Sequence, residues 1–446
     1  MNIEERIYKE QGELLKIIDK ALAYAQKNGV TQAAASVSKR TGLKVKVRNQ
    51  EVEKVSFSKG RSLSIEVYTN RCSGSSYTRD LSEDAIISTV DAAIAISRHT
   101  TRDEYAGLPE EKDMQDQNVD LDQFHPQEPD ADKMANDALS LEKMSLAHPQ
   151  IKQSYGASFV NSYGQLIIGN TYGTRLCKPF SSFSESINLI AEKDGKMEND
   201  GAGHSAVDFA DLWSMEKLSS CAIERTISRL GPRKLQTMTC PVIFDKRAAP
   251  TLLSFLLDGL NGRSQFQKTT FIKDCLGTKL FPDWINIEEN PYIPKKIFSS
   301  CFDMDGARTT RKFIINGGVC ESYILDAYSA RQLKMQNTGN AGMVSNVIVS
   351  NSGITKEQLL KQMGKGLIVT ELMGSGFDEI TGKLSVGACG FWVENGEIQY
   401  PVNEITIAGD VKELFQNIVA IDDDFDPRSS VKVGNILIDH MKIAGK

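Results

Sequence analysis

Apolar residues at Leu14, Ile17, Ile18, Ala21, Leu22 and Ala25 keep helical spacing and Asn28-Gly29 follows as a stop signal, so the chain is predicted to open with a helix that buries one face. The pattern then changes to short alternating runs at Lys44 to Arg48, Glu51 to Ser58 and Ser62 to Thr69, with Asn49-Gln50 between the first two. Such runs suit an antiparallel sheet with one solvated face. Ser82, Glu83 and Asp84 place a cap and two acids ahead of Ile86, Ile87, Val90, Ala93 and Ile94, which predicts a second helix across that sheet. Strand-like runs return at Ala157 to Val160, Gln165 to Ile168 and Ser186 to Ala191, before a helix from about Asp211 that Gly231-Pro232 ends. Farther on, helices are predicted over Ala249 to Leu260 and Lys356 to Met363. Between and after them stand hairpin signals at Ile314 to Gly318 and at Asn395-Gly396, where Asn-Gly supplies the positive φ of a two-residue turn.

These elements describe an α+β chain, and 446 residues allow two or three domains, each with its own core. The division read from the pattern is an N-terminal helix plus antiparallel sheet over 1–100, an acidic linker over 101–133, a middle α+β segment over 134–235, and a C-terminal mainly-β, barrel-like domain with interspersed helices over 236–446. The linker carries eleven acidic and three basic residues with three prolines, a composition that favours solvent over a packed element. Over the whole chain 52 Lys and Arg face 58 Asp and Glu, a net charge of −6. That is the wrong sign for a phosphate backbone, so direct nucleic-acid binding is not expected. No apolar run approaches the roughly 20 residues that cross a bilayer, and the start Met1-Asn2-Ile3-Glu4-Glu5 lacks a signal peptide's basic and apolar regions. A soluble, cytoplasmic protein without membrane contact is expected. The eight cysteines show no C-x-x-C and are read as reduced thiols.

Tested against chemical motifs, most of the sequence reads as structural. Around Gly382-Lys383 a phosphate-binding loop fails, because Phe377 stands where the first glycine belongs and Leu384 replaces the magnesium-binding hydroxyl. Met373-Gly374-Ser375-Gly376 lacks the spacing of a dinucleotide turn. Asp422, Asp424 and Asp426 alternate as calcium ligands would, yet Pro427 and Val433 occupy the positions that need glycine and a bidentate glutamate. No G-x-S-x-G elbow is present. The histidines, His99, His125, His148, His204 and His440, are too far apart for any two to share a helical turn as zinc ligands. His204 with Asp208 is the nearest approach to a short ligand pair, after a Gly-Ala-Gly turn. A distant constellation of His204, Cys389 and His440 stays open as an unconventional peptidase site.

The C-terminal block is more specific. Ile380-Thr381-Gly382, the run from Gly387-Ala388-Cys389-Gly390-Phe391-Trp392 through Tyr400-Pro401-Val402, Glu404 to Gly409 and the closing Met441 to Gly445 resemble the PmbA (TldE) branch of the bacterial TldD/PmbA family, a resemblance that spans nearly the whole chain. It implies a cytoplasmic subunit of a heteromeric metalloprotease acting on unfolded or extended peptides, linked to peptide maturation, antitoxin degradation and an older label of DNA gyrase modulator. In that assembly the zinc belongs to the TldD-type partner, on a helix bearing His-Glu-x-x-x-His plus a later cysteine. Aligning the following Gly-Leu-x-Gly puts Leu253, Ser254 and Asp258 of this chain where those three side chains would stand, and no cysteine follows Ser429. Leucine is no ligand, serine is no general base at neutral pH, and one aspartate cannot hold zinc alone. The expectation is a chain with no catalytic, cofactor-binding or metal-binding residues of its own, a TldD-type partner, a peptide substrate, and homodimers when isolated. Asn337 to Asn340 and the turn at Gly374 are candidate walls for a peptide chamber. The alternatives are an autonomous peptidase and a regulatory partner of gyrase.

Overall fold

The computed structural model describes residues 2–342 and 344–445. Helix α1 (Ile3–Lys27) is followed by strands β1 (Gln32–Arg48), β2 (Glu51–Thr69) and β3 (Cys72–Thr78) and by α2 (Glu83–His99). After the acidic segment, α3 (Ala131–Leu146) leads into β4 (Ile151–Asn170), β5 (Arg175–Lys193), β6 (Lys196–Ala206) and α4 (Met215–Ser228). The six strands form one antiparallel sheet in the order β3-β2-β1-β4-β5-β6, so a single sheet runs through both the 1–100 and the 134–235 segments. With 20 residues, β4 alone spans roughly 65 Å.

All four helices lie on one face of this sheet. Along β1, Ala33, Ala35 and Val37 pack under α1 and α2, while Leu43, Val45 and Val47, of the same parity and therefore the same face, pack under α3 and α4. On the opposite face, Ile168 and Leu176 meet Cys301 and Phe302 from the second half of the chain. The strands are longer than the short runs predicted from sequence. Polar residues around Lys39-Arg40 and Lys59-Gly60-Arg61 hide the period, yet the ladder continues through Lys39↔Arg61 and Arg40↔Gly60. Helix α3 was not anticipated, because it buries only Ala138, Leu141, Glu142 and Ser145, too small an apolar stripe to stand out.

The 101–133 segment is a strap and not the exposed linker its composition suggests. Its carboxylates stay largely in solvent, but Ala106, Leu108, Met114 and Leu121 are buried. Arg331 donates to the carbonyls of Tyr105 (2.7 Å), Gly107 (3.0 Å) and Leu108. Gln123 Nε2 donates to the Ser299 carbonyl at 3.0 Å. Backbone groups that would otherwise need water are thus paired with the second half.

That second half runs β7 (Met238–Phe244), α5 (Ala249–Gly259), α6 (Gly262–Gln267), β8 (Ile287–Asn290), β9 (Lys312–Asn316), β10 (Val319–Cys320), α7 (Ala327–Leu333), β11 (Asn346–Val349), α8 (Lys356–Met363), β12 (Gly366–Met373), β13 (Lys383–Glu394), β14 (Glu397–Asp410), α9 (Val411–Gln416), β15 (Ile418–Ile421), β16 (Val431–Lys432) and β17 (Ile436–Ala444). Strands β14-β13-β12-β7-β17 are joined in order, and β14 pairs back onto β17 through Thr406↔Ala444. The ring closes, giving the barrel-like part of the mixed α+β fold, with β15 attached to β17. Gly390 allows the close approach of β13 and β12, since a Cβ there would stand 1.7 Å from the Ile368 carbonyl oxygen. Alternation places Val242 and Phe244 of β7 in a core with α5, and Ile243 on the other face with Leu359 and Met363 of α8. A second sheet, β10-β9-β8-β11-β16, packs into the same core as α5. Both predicted hairpins form, with Asn395 and Gly396 at φ of 55° and 75°; after Gly317-Gly318 the returning strand is Val319–Cys320.

One buried carboxylate ties the long sheet to its helices. Glu142 on α3 is fully buried and accepts from the backbone N–H of Asn49 (3.1 Å) and Gln50 (2.7 Å), from Gln50 Nε2 (2.9 Å) and from the Ser154 hydroxyl. Asn49 and Gln50 both have positive φ, the type I′ geometry that joins β1 to β2. Replacing Glu142 by alanine leaves these donors without an acceptor. We expect Glu142→Ala to lower the unfolding free energy by about 3 kcal/mol in urea titration; a loss under about 1 kcal/mol would show that the turn does not depend on the carboxylate.

Candidate functional site

Helix α5 follows β7 directly and starts with Pro250 in its first turn, where a missing N–H costs nothing. Leu252, Leu253 and Leu256 point into the core, and Leu253 is 1% exposed. Ser254 donates its hydroxyl to the Thr251 carbonyl at 2.8 Å. Asp258 lies on the exposed side of the helix, where desolvation by its surroundings, followed by the charge of Glu379, raises its carboxyl above the usual range. Phe255 stacks on Phe377 at 4.1 Å, Phe377 meets Phe271 edge-on at 5.5 Å, and Phe281 stacks on Phe415 at 4.7 Å. The helix that the family resemblance singles out is thus wrapped in aliphatic and aromatic side chains.

A zinc ion does not fit this donor set. Leu253 offers no lone pair, the Ser254 hydroxyl is committed to its own helix, and the single carboxylate of Asp258 cannot hold the ion alone. Among the described residues, no three His, Cys, Asp or Glu side chains come close enough to hold a metal. The aspartates that alternate like calcium ligands are each engaged elsewhere. Asp422 is fully buried and accepts from the Asn435 backbone (2.8 Å) and Nδ2 (2.6 Å), Asp424 pairs with Lys246 at 2.5 Å, and Asp426 grips Arg428.

The three residues of the open constellation sit in three different environments. Cys389 is buried on β13 with its sulfur 3.1 Å from Arg229 Nη2 and 3.5 Å from Glu371 Oε2. Burial outweighs Arg229 and pushes this thiol up to about 11, the opposite of an activated nucleophile. Arg229 also pairs with Asp200 (3.3 Å), which in turn holds Arg247 (3.2 Å) at the start of α5. His204 on β6 stacks on Trp213 at 4.9 Å, and burial followed by the charge of Arg428 lowers its pKa to about 4. His440 is exposed and bonded to its neighbour Asp439. The three share no partner.

The candidate chamber walls are braced turns. Asn340 donates to Glu289 at 3.0 Å, and the Thr338 hydroxyl bonds to both the N–H and the carbonyl of Leu325. The Gly376 carbonyl accepts from Ser385 N–H at 2.7 Å.

Three family models match in tandem, described as PmbA/TldA metallopeptidase domain 1 over residues 33–97, central domain over 124–230 and C-terminal domain over 237–445. The metalloprotease PmbA of Escherichia coli O157:H7 is 42% identical over 97% of both chains. The chain belongs to the PmbA/TldA metallopeptidase family. A PmbA homologue of Haemophilus influenzae is 38% identical over 98% of this chain and 97% of its own length. At the level of fold, a Bacteroides thetaiotaomicron protein described as a candidate modulator of DNA gyrase superposes with a TM-score of 0.92 over 97% of this chain and 99% of its own, at 22% identity. TldE from Thermococcus kodakarensis does so at 0.84 over 96% of this chain and all of its own, at 18% identity.

The family fold also builds a cleft that pattern reading missed. Beyond the far end of α5, a space of about 530 Å³ is lined by Glu66 and Tyr68 from the long sheet and by Asp305, Asp326 and Asn261 from the second half. These acids come from segments far apart in sequence, so no local motif announces them. Burial, followed by the charges of Asp303, Asp326 and Glu66, pushes the Asp305 carboxyl up to about 7. For an acid with a raised folded-state pKa, the neutral form is favoured by folding, so its stability contribution is complete below pH 4 and is lost as pH rises through about 7. Asp305→Asn should therefore raise Tm at pH 8 and flatten the Tm profile between pH 5 and 8 relative to the parent chain. Parallel profiles in differential scanning calorimetry would contradict this assignment.

Proposed function

We propose that this chain is the zinc-free, TldE-type subunit of a cytoplasmic TldD/TldE metalloprotease acting on unfolded or extended peptides, with hydrolysis supplied by the zinc of a TldD-type partner. The observation that carries the reading is α5, which belongs to a metallopeptidase fold but has Leu253 buried in the core, the Ser254 hydroxyl bonded to its own helix and Asp258 as a lone carboxylate on the exposed side. A peptidase zinc needs imidazole or carboxylate ligands and a nearby base to deprotonate its water. This helix offers neither. The 42% identity to a metalloprotease PmbA and a 23% match over 63% of the chain to a Buchnera TldD homologue support kinship with both branches of the family.

In this reading the subunit walls off the partner's site and receives substrate backbone. The first half of β2 is suited to such pairing, since β3 takes up only Leu63 to Thr69 and leaves the outer edge of β2 before it without a strand partner among the described residues. Val52, Val55 and Phe57 are exposed there. Main-chain hydrogen bonds along such an edge tolerate many side chains, as degradation of diverse peptides requires. Subunits of one fold pair across a pseudo-twofold axis, and without its partner the chain is expected to pair with itself.

A second reading, a regulatory protein-binding partner, draws on the description of the Bacteroides neighbour as a candidate gyrase modulator. Reconstitution separates the two. Mixed with a TldD-type subunit, the chain should co-elute on size exclusion and give peptide cleavage that neither subunit shows alone. Cys389→Ser and His440→Ala should leave that activity within about twofold. Cleavage by the isolated chain, abolished by either substitution, would establish an autonomous peptidase instead, and gyrase capture without any partner-dependent cleavage would favour the regulatory reading.

A further inference from the structure

Between the end of β6, the 295–298 loop and the turn into β16 lies a pocket of about 390 Å³ whose chemistry is cationic. Lys432 is 7% exposed and donates to Asn346 Oδ1 (2.9 Å) and to the Ser429 carbonyl (3.0 Å), with no carboxylate at ion-pair distance among the described residues. Burial, followed by the charge of Lys296, lowers its pKa to about 8 against the weaker opposing charge of Asp426. Lys296 also lines the pocket and forms no ion pair among the described residues. Lys295, by contrast, is matched by Asp208 (2.9 Å) and Asp211 (3.8 Å).

The remaining wall supplies a neutral donor. His204 is 9% exposed and its buried Nδ1 has no hydrogen-bond partner. Trp213 carries the ring on one side, and Arg428, fixed by Asp426 and by the Gly203 carbonyl, lies 4.7 Å from the same indole. At the rim stand Ile297 and Phe298, each 38% exposed. Two ammonium groups without an ion-pair partner among the described residues, the His204 ring and an apolar rim line one space, with Asp211 as the one carboxylate among its lining.

We propose that this pocket binds the C-terminal carboxylate of a peptide, with Lys296 and Lys432 on the two oxygens, the His204 Nδ1–H as a third donor, and the terminal side chain against Ile297 and Phe298. Charge-assisted bonds to desolvated ammonium groups are the strong class of hydrogen bond. A carboxylate suits the donors better than a phosphate does. The guanidinium fork that phosphates favour is already taken by Asp426, and a bare phosphate would make no use of the apolar rim. The identity of the ligand as a peptide rests on the peptide-handling reading above; the anion pocket itself rests on Lys296, Lys432 and His204 alone.

The test uses the isolated full-length chain at pH 7, with binding followed by calorimetry and tryptophan fluorescence. Its probes are Ala-Ala-Phe, the same peptide as its C-terminal amide, and inorganic phosphate. The free acid should bind at least about tenfold more tightly than the amide, a difference of about 1.4 kcal/mol. Lys432→Gln and Lys296→Ala should each erase that preference; Lys296 is only half-buried, so its variant keeps the fold and the test stands even where Lys432→Gln does not fold. Equal binding of acid and amide, binding of neither, or phosphate binding that the peptide acid does not displace would overturn the proposal. No partner or cleavage assay enters, so failure here leaves the subunit assignment standing, and failure of reconstitution leaves the pocket standing.

Discussion

The chain's chemistry depends on how α5 is buried. Helix α5 follows β7 and is pressed between a closed barrel and a second sheet, so its inward-facing positions are given to packing. Here Leu252, Leu253 and Leu256 fill that space, and the Phe255–Phe377–Phe271 row covers the outer side. Burying a leucine contributes about 2 kcal/mol, whereas an unpaired ligand in the same place would cost energy.

Around that helix, polar networks join the two halves. Arg229, Arg247 and Asp200 tie the long sheet to the start of α5 and reach Cys389 on the barrel. Asp200 stays ionised because Arg247 and the Gly201 backbone N–H, helped by Arg229, outweigh the cost of burial. The acidic strap adds further bonds, from Arg331 to strap carbonyls beside the cleft and from Gln123 to the Ser299 carbonyl. Both the acidic cleft and the cationic pocket sit at seams between the halves.

Much of this fold was legible from residue pattern where a local rule decides. Helices α1, α2, α5 and α8 show apolar periodicity with caps or stop signals, and the Asn395-Gly396 hairpin follows from backbone chemistry alone. What stayed hidden depends on partners distant in sequence. The full length of β1 and β2 is fixed by their mutual ladder across polar residues, α3 by a buried carboxylate together with its packing under the long sheet, and the strap by its backbone bonds. The same holds for the sites. Leu253, Ser254 and Asp258 could be compared with a ligand motif because they share one helix, whereas Lys296, Lys432 and His204 meet only when three segments converge.

The most direct measurement is a calorimetric zinc titration of the isolated chain after chelator treatment. No site tighter than about 1 µM, corresponding to roughly 8 kcal/mol, is expected, and no change when Asp258 is replaced by alanine. One zinc per chain held well below that concentration, and lost in Asp258→Ala, would contradict the zinc-free assignment.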